Sequence, residues 1–146
     1  MTTTEQLVSD TDHVRLERLA LELNWRVDTG TATTIPELFT DDGTLNTLGD
    51  PVVGHDALRA WGGMMDTDSP IAGVHHVLSN LRFTADGPDR ATGTLYVTAY
   101  LPGAADGQAT LPFAMGQCTD RYVRTTDGWR IESRVFHPFF LRGDPA

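Results

Sequence analysis

Four long runs of strand-forming residues fill the second half of the chain and limit it to a few architectures. β-branched and aromatic residues are frequent in the runs, which cover residues 74–84, 90–101, 109–125 and 129–137. Segments rich in Gly, Pro and Asp separate them, as is typical of turns. Asp127-Gly128, between the last two runs, is a strong hairpin signal. The runs therefore predict an antiparallel meander of long, curved strands, with Gly93 and Gly116 as bend or bulge sites.

The first helix is predicted from Ser9, which has the capping-box spacing to Asp12, to an end at Gly30. One apolar stripe with helical spacing consists of Leu16, Leu19, Ala20, Leu23 and Val27. A second stripe, on another face, consists of Val14, Leu21 and Trp25. Two stripes predict that neighbouring elements cover this helix on two sides.

Two further helices and a short strand are predicted before the meander. Thr34 and Glu37 have the spacing of a second capping box, which would open a short helix. Residues 44–48 form a brief strand, and a third helix follows Gly54. The inward-facing residues of this helix, at spacings of three and four, are Leu58, Trp61 and either Met64 or Met65.

Helices followed by a meander predict an α+β fold in which the helices lie on one face of a strongly curved sheet. At 146 residues the chain has the length of one domain. We assign residues 1–9 to a flexible polar arm, residues 10–141 to the domain and residues 142–146 to a tail. A sheet that wraps its helices in this way leaves a pocket at its open end.

Composition excludes several classes of function. The net charge of −9 argues against nucleic acid or an anionic membrane as a partner. All eleven basic residues are Arg, so a Schiff-base or phosphate-binding lysine is excluded. A single cysteine, no signal-peptide pattern and no apolar run of membrane-spanning length lead us to expect a cytoplasmic protein.

The first run of the meander carries two adjacent histidines. In a regular strand His76, Leu78 and Asn80 share one face, and His75, Val77 and Leu81 share the other. An imidazole beside apolar residues on an inner face would line a polar site within an apolar core. The strand pattern alone does not identify a partner for that imidazole.

A set of short motifs gives the chain a resemblance to a known family. The motifs are Val27-Asp28-Thr29-Gly30, Leu38-Phe39-Thr40-Asp41-Asp42, Gly54, His76-Val77-Leu78-Ser79-Asn80, Asp120-Arg121-Tyr122-Val123-Arg124, Asp127-Gly128-Trp129-Arg130-Ile131 and Arg134. Their order and spacing resemble the SnoaL-like branch of the nuclear transport factor 2-like superfamily. The resemblance implies a cone-shaped fold, in which three N-terminal helices pack in a curved mixed or antiparallel sheet that encloses one pocket.

Within that superfamily the chain looks most like the subgroup that includes scytalone dehydratase and hexachlorocyclohexane dehydrochlorinase. The resemblance implies a general-base dyad of Asp28 and His76. The chain departs from the subgroup at Tyr96, where scytalone dehydratase has a second His, and at Leu23, where the dehydrochlorinase has a Lys. Cys118 stands where a Tyr is frequent in the family. These departures leave the substrate open.

The chemistry of such a dyad follows from its two groups. A carboxylate bonded to one imidazole nitrogen fixes the tautomer and stabilises the imidazolium, so the other nitrogen can take a proton. The alternative is an exposed carboxylate at a helix end and an unrelated structural histidine. The candidate substrate-binding residues, each with core packing as its alternative, are Trp25, Trp61, Met65, Leu78, Tyr96 and Cys118.

Other polar residues have structural interpretations. His13 and His55 are expected at the surface, His75 on a helix-facing side or at an interface, and His137 in an outward position or at an interface. Asp120 and Arg134 are expected to pair across the final hairpin. No cluster has metal-ligand spacing, so a metal is not expected, and the resemblance implies no other cofactor.

The leading hypothesis is a cofactor-independent dehydratase, isomerase or cyclase that acts on a small hydrophobic, often cyclic, molecule. The alternatives are a non-catalytic ligand-binding or assembly module and a hydrolase with dyad-activated water. We also expect a homo-oligomer, a dimer or else a trimer. The apolar segment that predicts it contains Phe136, Phe139, Phe140 and Leu141.

Overall fold

The computed structural model of the protein describes residues 5–102 and 111–142. The helices are α1 (Asp10–Asp28), a 3-10 helix (Ala32–Leu38) and α2 (His55–Thr67). The strands are β1 (Phe39–Asn46), β2 (Val52–Val53), β3 (His75–Ala85), β4 (Arg90–Tyr100), β5 (Ala114–Thr125) and β6 (Gly128–Leu141). Residues 1–4 of the predicted arm, residues 109 and 110 of the third predicted strand and residues 143–146 of the predicted tail lie outside the described residues.

The strands form one curled sheet in the order β2-β1-β6-β5-β4-β3. Strands β3 to β6 pair antiparallel with their neighbours in the chain, which confirms the predicted meander. Strand β1 pairs parallel with β6, so the sheet is mixed. The helices and the inner face of the sheet share one hydrophobic core. The predicted α+β class is therefore confirmed.

Of the two predicted bend glycines, Gly116 lies at a register shift, whereas Gly93 pairs regularly.

The predicted arm is bound to the sheet where the structure describes it. The backbone N–H of Val8 donates to the carbonyl of Phe83, and that of Ala85 donates to the carbonyl of Gln6. The backbone groups of residues 6–8 thus continue the hydrogen bonding along the edge of β3.

Helix α1 begins where its capping residue predicts, since Ser9 accepts a hydrogen bond from the backbone N–H of Asp12. The Asp12 carboxylate does not complete a capping box, because it bonds Arg124 and Trp129 instead. The first apolar stripe is buried at its centre. The second stripe is exposed, with Trp25 at 64%, so the prediction of cover on two sides is wrong.

The 3-10 helix is capped by a different helix, not by the predicted box of Thr34 and Glu37. The carboxylate of Asp66 in α2 accepts from the backbone N–H groups of Ala32 and Thr33, at 2.8 and 3.1 Å. Gly62 of α2 touches the same segment, since a Cβ atom there would lie 2.0 Å from the carbonyl oxygen of Ala32. The hydrogen bonds to Asp66 and the close approach at Gly62 thus fix α2 against the 3-10 helix.

A β-bulge divides β3. Asn80 has a positive φ of 53°, and the pairing of β3 with β4 shifts register between Ser79 and Arg82. The bulge reverses the alternation of faces, so Asn80 is exposed and Leu81 packs against the core. The regular alternation predicted for this strand is therefore wrong beyond Ser79.

No helix in the described ranges is long and apolar enough to cross a membrane.

Candidate active site

The end of α1 meets the start of β3 through Asp28 and His76. The Asp28 carboxylate accepts from the backbone N–H of His76 through Oδ2 at 2.8 Å, and its Oδ1 lies 2.6 Å from His76 Nδ1. Both side chains are mostly buried, at 11% and 15% exposed. Asp28 is the last residue of α1 and His76 the second residue of β3, so the contact joins two elements that are distant in the sequence.

The contact determines which ring nitrogen is available for chemistry. A carboxylate only accepts hydrogen bonds, so Nδ1 must carry the proton that it donates to Asp28. In the neutral ring Nε2 then has a free lone pair. This arrangement is that of a general base oriented by a second group.

His76 lies on the wall of a cavity of about 280 Å³ between the helices and the sheet. Most of the lining is apolar, which is typical of sites for small hydrophobic molecules. The polar side chains in the wall are His76, Asn24, Arg134 and Thr47. The apolar lining includes Val27, Leu45, Trp61, Met64, Met65, Val97, Cys118 and Phe136.

The structure places three of the six candidate substrate-binding residues in the cavity wall, namely Trp61, Met65 and Cys118. Leu78 shares the inner face of β3 with His76 and packs against the core, but it is not among the lining residues. Trp25 is also outside the cavity. It projects to solvent because the buried face of α1 is the stripe that contains Leu16 and Ala20.

Tyr96 lies on the outer face of the sheet, so its assignment to the cavity is wrong. Its ring packs edge to face on Phe139, with 6.0 Å between the centroids. The inner face of β4 carries the small or aliphatic residues Ala91, Gly93, Leu95, Val97 and Ala99, all of them buried. Apolar alternation along this strand was the sequence signal that could have identified the inner face.

Three polar residues of the wall, Asn24, Thr47 and Arg134, were not predicted to belong to the site. Arg134 pairs with Asp120 across the β5–β6 hairpin, as predicted, and both residues are buried. The sequence signal for Asn24 was its position four residues before Asp28, which places both side chains on one face of α1.

The Asp120 carboxylate is held on several sides. It accepts two hydrogen bonds from Arg134, at 2.8 and 2.7 Å, and one from the Tyr122 hydroxyl at 2.5 Å. Burial, together with the negative charge of Asp120, raises the pKa of Tyr122 well above its ordinary value. The network is therefore a neutral phenol beside a fixed ion pair, and Arg134 is the member of it that lines the cavity.

Cys118 contributes an unreactive thiol to the wall. Burial raises its pKa to about 11, so the thiolate is absent near neutral pH. This residue therefore acts as a small apolar lining group.

The other histidines lie elsewhere. His75 is exposed and its Nδ1 contacts the carbonyl of Gly73 at 2.9 Å, whereas Nε2 of the partly buried His55 contacts the carbonyl of Phe39 at 3.1 Å. His137 is exposed, and the ring of His13 packs on Phe83. Within residues 5–102 and 111–142, no group of three or more His, Cys, Asp or Glu side chains is arranged to hold a metal ion.

Solved structures share this fold over most of the chain. Rv3472, a protein of unknown function from Mycobacterium tuberculosis, is 25% identical with a TM-score of 0.77, over 92% of this chain and 76% of its own. A proposed scytalone dehydratase from Novosphingobium aromaticivorans is 18% identical with a TM-score of 0.74, over 95% and 93%. An NTF2-like protein with a cystatin-like fold, from the same organism, is 20% identical with a TM-score of 0.73, over 88% and 82%.

Among curated proteins no significant match to the chain is found. The family model of the SnoaL-like domain matches residues 11–135, which is most of the described chain. The order of elements, the curled sheet and this match agree, and the protein belongs to the SnoaL-like domain family.

Proposed function

We propose that the protein is a cofactor-independent enzyme that removes a proton from a small hydrophobic, cyclic molecule, as a dehydratase, isomerase or cyclase does. The observation that carries the proposal is the 2.6 Å contact between Asp28 and Nδ1 of a histidine in the wall of an apolar cavity. A bound molecule in this cavity would meet Nε2 of His76 as its base.

The reaction begins with a C–H bond of the substrate. Nε2 of His76 takes the proton, and the electron pair of the broken bond moves into the substrate. Asp28 stabilises the imidazolium that forms, because its carboxylate bonds the Nδ1–H group. The apolar walls exclude water and strengthen this charge interaction. A cavity of about 280 Å³ restricts the substrate to a small ring system.

The same base can begin different reactions, depending on the substrate. Loss of a β-hydroxyl group after proton removal gives dehydration, and return of the proton to another carbon gives isomerisation. One structural relative carries the name scytalone dehydratase, which agrees with the first of these reactions. Its identity of 18% establishes the shared fold alone.

The competing function is ligand binding without chemistry. The mostly apolar lining favours it equally, because such a cavity binds small hydrophobic molecules whether or not a base is present. The two functions differ in what happens to bound substrate, so turnover and binding must be measured on the same variants.

The test is hydrogen–deuterium exchange and water elimination, followed by NMR on a panel of small cyclic ketones and β-hydroxyketones. His76→Ala and Asp28→Asn should reduce the rate by about 10²- to 10⁴-fold. His75→Ala is the matched control, because this neighbouring histidine is exposed and its ring bonds a backbone carbonyl. Solvent labelled with ¹⁸O separates hydrolysis, which incorporates the label, from elimination.

Two results would contradict the proposal. In one, the ligands bind equally to wild type, His76→Ala and Asp28→Asn, and none is converted. In the other, His75→Ala loses as much activity as His76→Ala. The first result would favour the binding module, and the second would show that the loss is structural.

A further inference from the structure

A buried arginine fixes one polar side chain of the cavity wall. Arg134 donates through Nε and Nη2 to the two carboxylate oxygens of Asp120, at 2.8 and 2.7 Å. Its Nη1 donates to Oδ1 of Asn24 at 2.7 Å. Arg134 is 3% exposed and Asp120 fully buried, so the guanidinium has little freedom to move. The orientation of the Asn24 amide therefore depends on a rigid support.

This contact also settles which atom of the amide faces Arg134. A guanidinium has no acceptor, so the Asn24 atom that it touches must be the oxygen. The amide nitrogen Nδ2 is turned away from Arg134 and contacts no acceptor among the described residues. Every fully buried side-chain nitrogen or oxygen in the described part of the chain has a partner, so Nδ2 is accessible. Since Asn24 lines the cavity, its N–H groups are available to a bound molecule.

The Asn24 amide lies on the same helix face as the carboxylate that holds the base. Asn24 and Asp28 are four residues apart on α1, which is about 6 Å along the helix axis. Asp28 in turn holds His76, whose ring lines the same cavity. A donor and a base in the wall of one small cavity can act on the same bound molecule.

We infer that the substrate carries a carbonyl oxygen which accepts a hydrogen bond from Asn24 Nδ2, on the carbon next to the one that His76 deprotonates. This inference rests on the proposed function and adds Asn24 to it as the residue that binds the carbonyl oxygen. When the C–H bond breaks, the proton passes to Nε2 and the electron pair forms a C=C bond. The carbonyl π pair moves to oxygen, and the resulting enolate oxygen is held by Asn24.

The arginine strengthens this interaction. Its positive charge at Oδ1 polarises the amide and makes the N–H groups better donors, because hydrogen bonds in a chain reinforce one another. The donor is also in place before the reaction begins, which is the condition for stabilising charge that develops in a transition state.

The experiment compares α-tetralone with tetralin, a pair of probes of nearly equal shape of which only the first has a carbonyl oxygen. Calorimetry gives the two affinities for each protein, and NMR gives the exchange of the α-protons of tetralone in D₂O. Wild type should bind α-tetralone about tenfold more tightly than tetralin, as expected for one hydrogen bond.

The test variant is Asn24→Asp, which keeps an oxygen for Arg134 and removes both amide donors. It should lose the preference for α-tetralone and keep the affinity for tetralin and the melting temperature. Asn80→Asp is the matched control, because Asn80 is exposed on β3. Thr47→Val removes another neutral polar group of the wall and should leave the preference intact.

The outcomes separate this inference from the proposed function. A preference that is lost in Asn24→Asp, without any exchange in wild type, would support the oxygen-binding role of Asn24 and contradict the base. Exchange that depends on His76 but is unchanged in Asn24→Asp would support the base and overturn the inference. Equal affinities for the two probes in wild type, loss of the preference in Thr47→Val, or no binding of α-tetralone would also overturn it.

Discussion

Asp28 holds His76 at two points, because one carboxylate oxygen accepts from the backbone N–H and the other contacts ring nitrogen Nδ1. The first bond fixes the start of β3 against the end of α1. The second fixes the rotation and the tautomer of the ring. A single carboxylate therefore joins the fold to the chemistry that we propose, and substitutions of Asp28 can separate the two roles.

Asp28→Asn should retain the fold and lose proton abstraction. The amide oxygen can still accept from the backbone, but an N–H group facing Nδ1 would force the ring proton onto Nε2. A base with the wrong tautomer should lose about 10⁴-fold in rate. Asp28→Ala should in addition lose about 1–3 kcal/mol of unfolding free energy, because it leaves a backbone N–H without its partner. Urea denaturation measures the unfolding free energies, and ¹⁵N NMR of the imidazole identifies the tautomer. Equal stabilities of the two variants would contradict the predicted role of the backbone hydrogen bond.

Asp120→Asn should be one of the most destabilising single substitutions in the sheet. It removes the charge that neutralises buried Arg134, and loss of one partner of a buried pair costs about 3–5 kcal/mol. Glu132→Gln is the matched control, because the Glu132–Arg90 pair is equally short, at 2.7 Å, but accessible to solvent, with Arg90 60% and Glu132 35% exposed. That variant should change the unfolding free energy by less than about 1 kcal/mol. Similar losses in the two variants would show that burial does not determine the cost.

The adjacent glycines of α2 should respond oppositely to alanine. A Cβ atom at Gly62 would lie 2.0 Å from the carbonyl oxygen of Ala32, so Gly62→Ala must displace the 3-10 helix and should cost at least about 2 kcal/mol. At Gly63 the nearest atom is 3.6 Å away, and Gly63→Ala should stabilise the protein by about 0.5–1 kcal/mol. Thermal unfolding distinguishes the two, and a neutral Gly62→Ala would contradict the tight contact.

Acid should weaken the anchoring of α1 to the final hairpin. Hydrogen bonds from Arg124 lower the pKa of Asp12 below its ordinary 3.8, although burial partly opposes them. A lowered folded-state pKa stabilises the protein above pH 3.8, and this contribution is lost as the pH falls through the lower value. Asp12→Asn should therefore be less stable than wild type at pH 7, with a smaller difference near pH 3. A difference that does not change with pH would exclude this ion pair as its source.

We propose that the outer face of β6 is covered by a second copy of the chain. Phe139 is 59% exposed there and packs on Tyr96, whereas Phe136 of the same segment faces the cavity. Light scattering should give twice the chain mass of 16.0 kDa. Phe139→Gln should restore the single mass, and Trp25→Gln, at another exposed aromatic residue, should not. A single mass for wild type would refute the proposal.

The order of elements was predictable because it depends on local signals. Runs of strand-forming residues and the turn residues between them identify the meander, and Ser9 identifies the start of α1. The contact of Asp28 with His76 joins residues 48 positions apart, and no spacing rule could predict it. The family resemblance implied that pair before the structure was known, whereas Asn24, for which no family motif was recognised, was missed.

The errors have a common physical cause, because a face is assigned correctly only when the partners of an element are known. The bulge at Asn80 reverses the alternation within β3, and nothing in the strand composition marks it. Tyr96 and Trp25 are aromatic residues, a type that often lines cavities, but they lie on faces that no other described element covers. The capping by Asp66 is likewise a contact between two helices. It replaces the local capping box of Thr34 and Glu37 that the sequence predicted.

The fixed position of α2 has a consequence for the evolution of specificity. This helix is held by its backbone at Gly62 and by Asp66, whereas the side chains that it directs into the cavity are Trp61, Met64 and Met65. The positions of α2 that contact the 3-10 helix thus differ from the positions that line the cavity. Exchanges at the three lining positions can reshape the cavity while Asp28 and His76, on other elements, keep their places. Changes in one helix can therefore alter which molecule the cavity accepts without disturbing the Asp28–His76 contact.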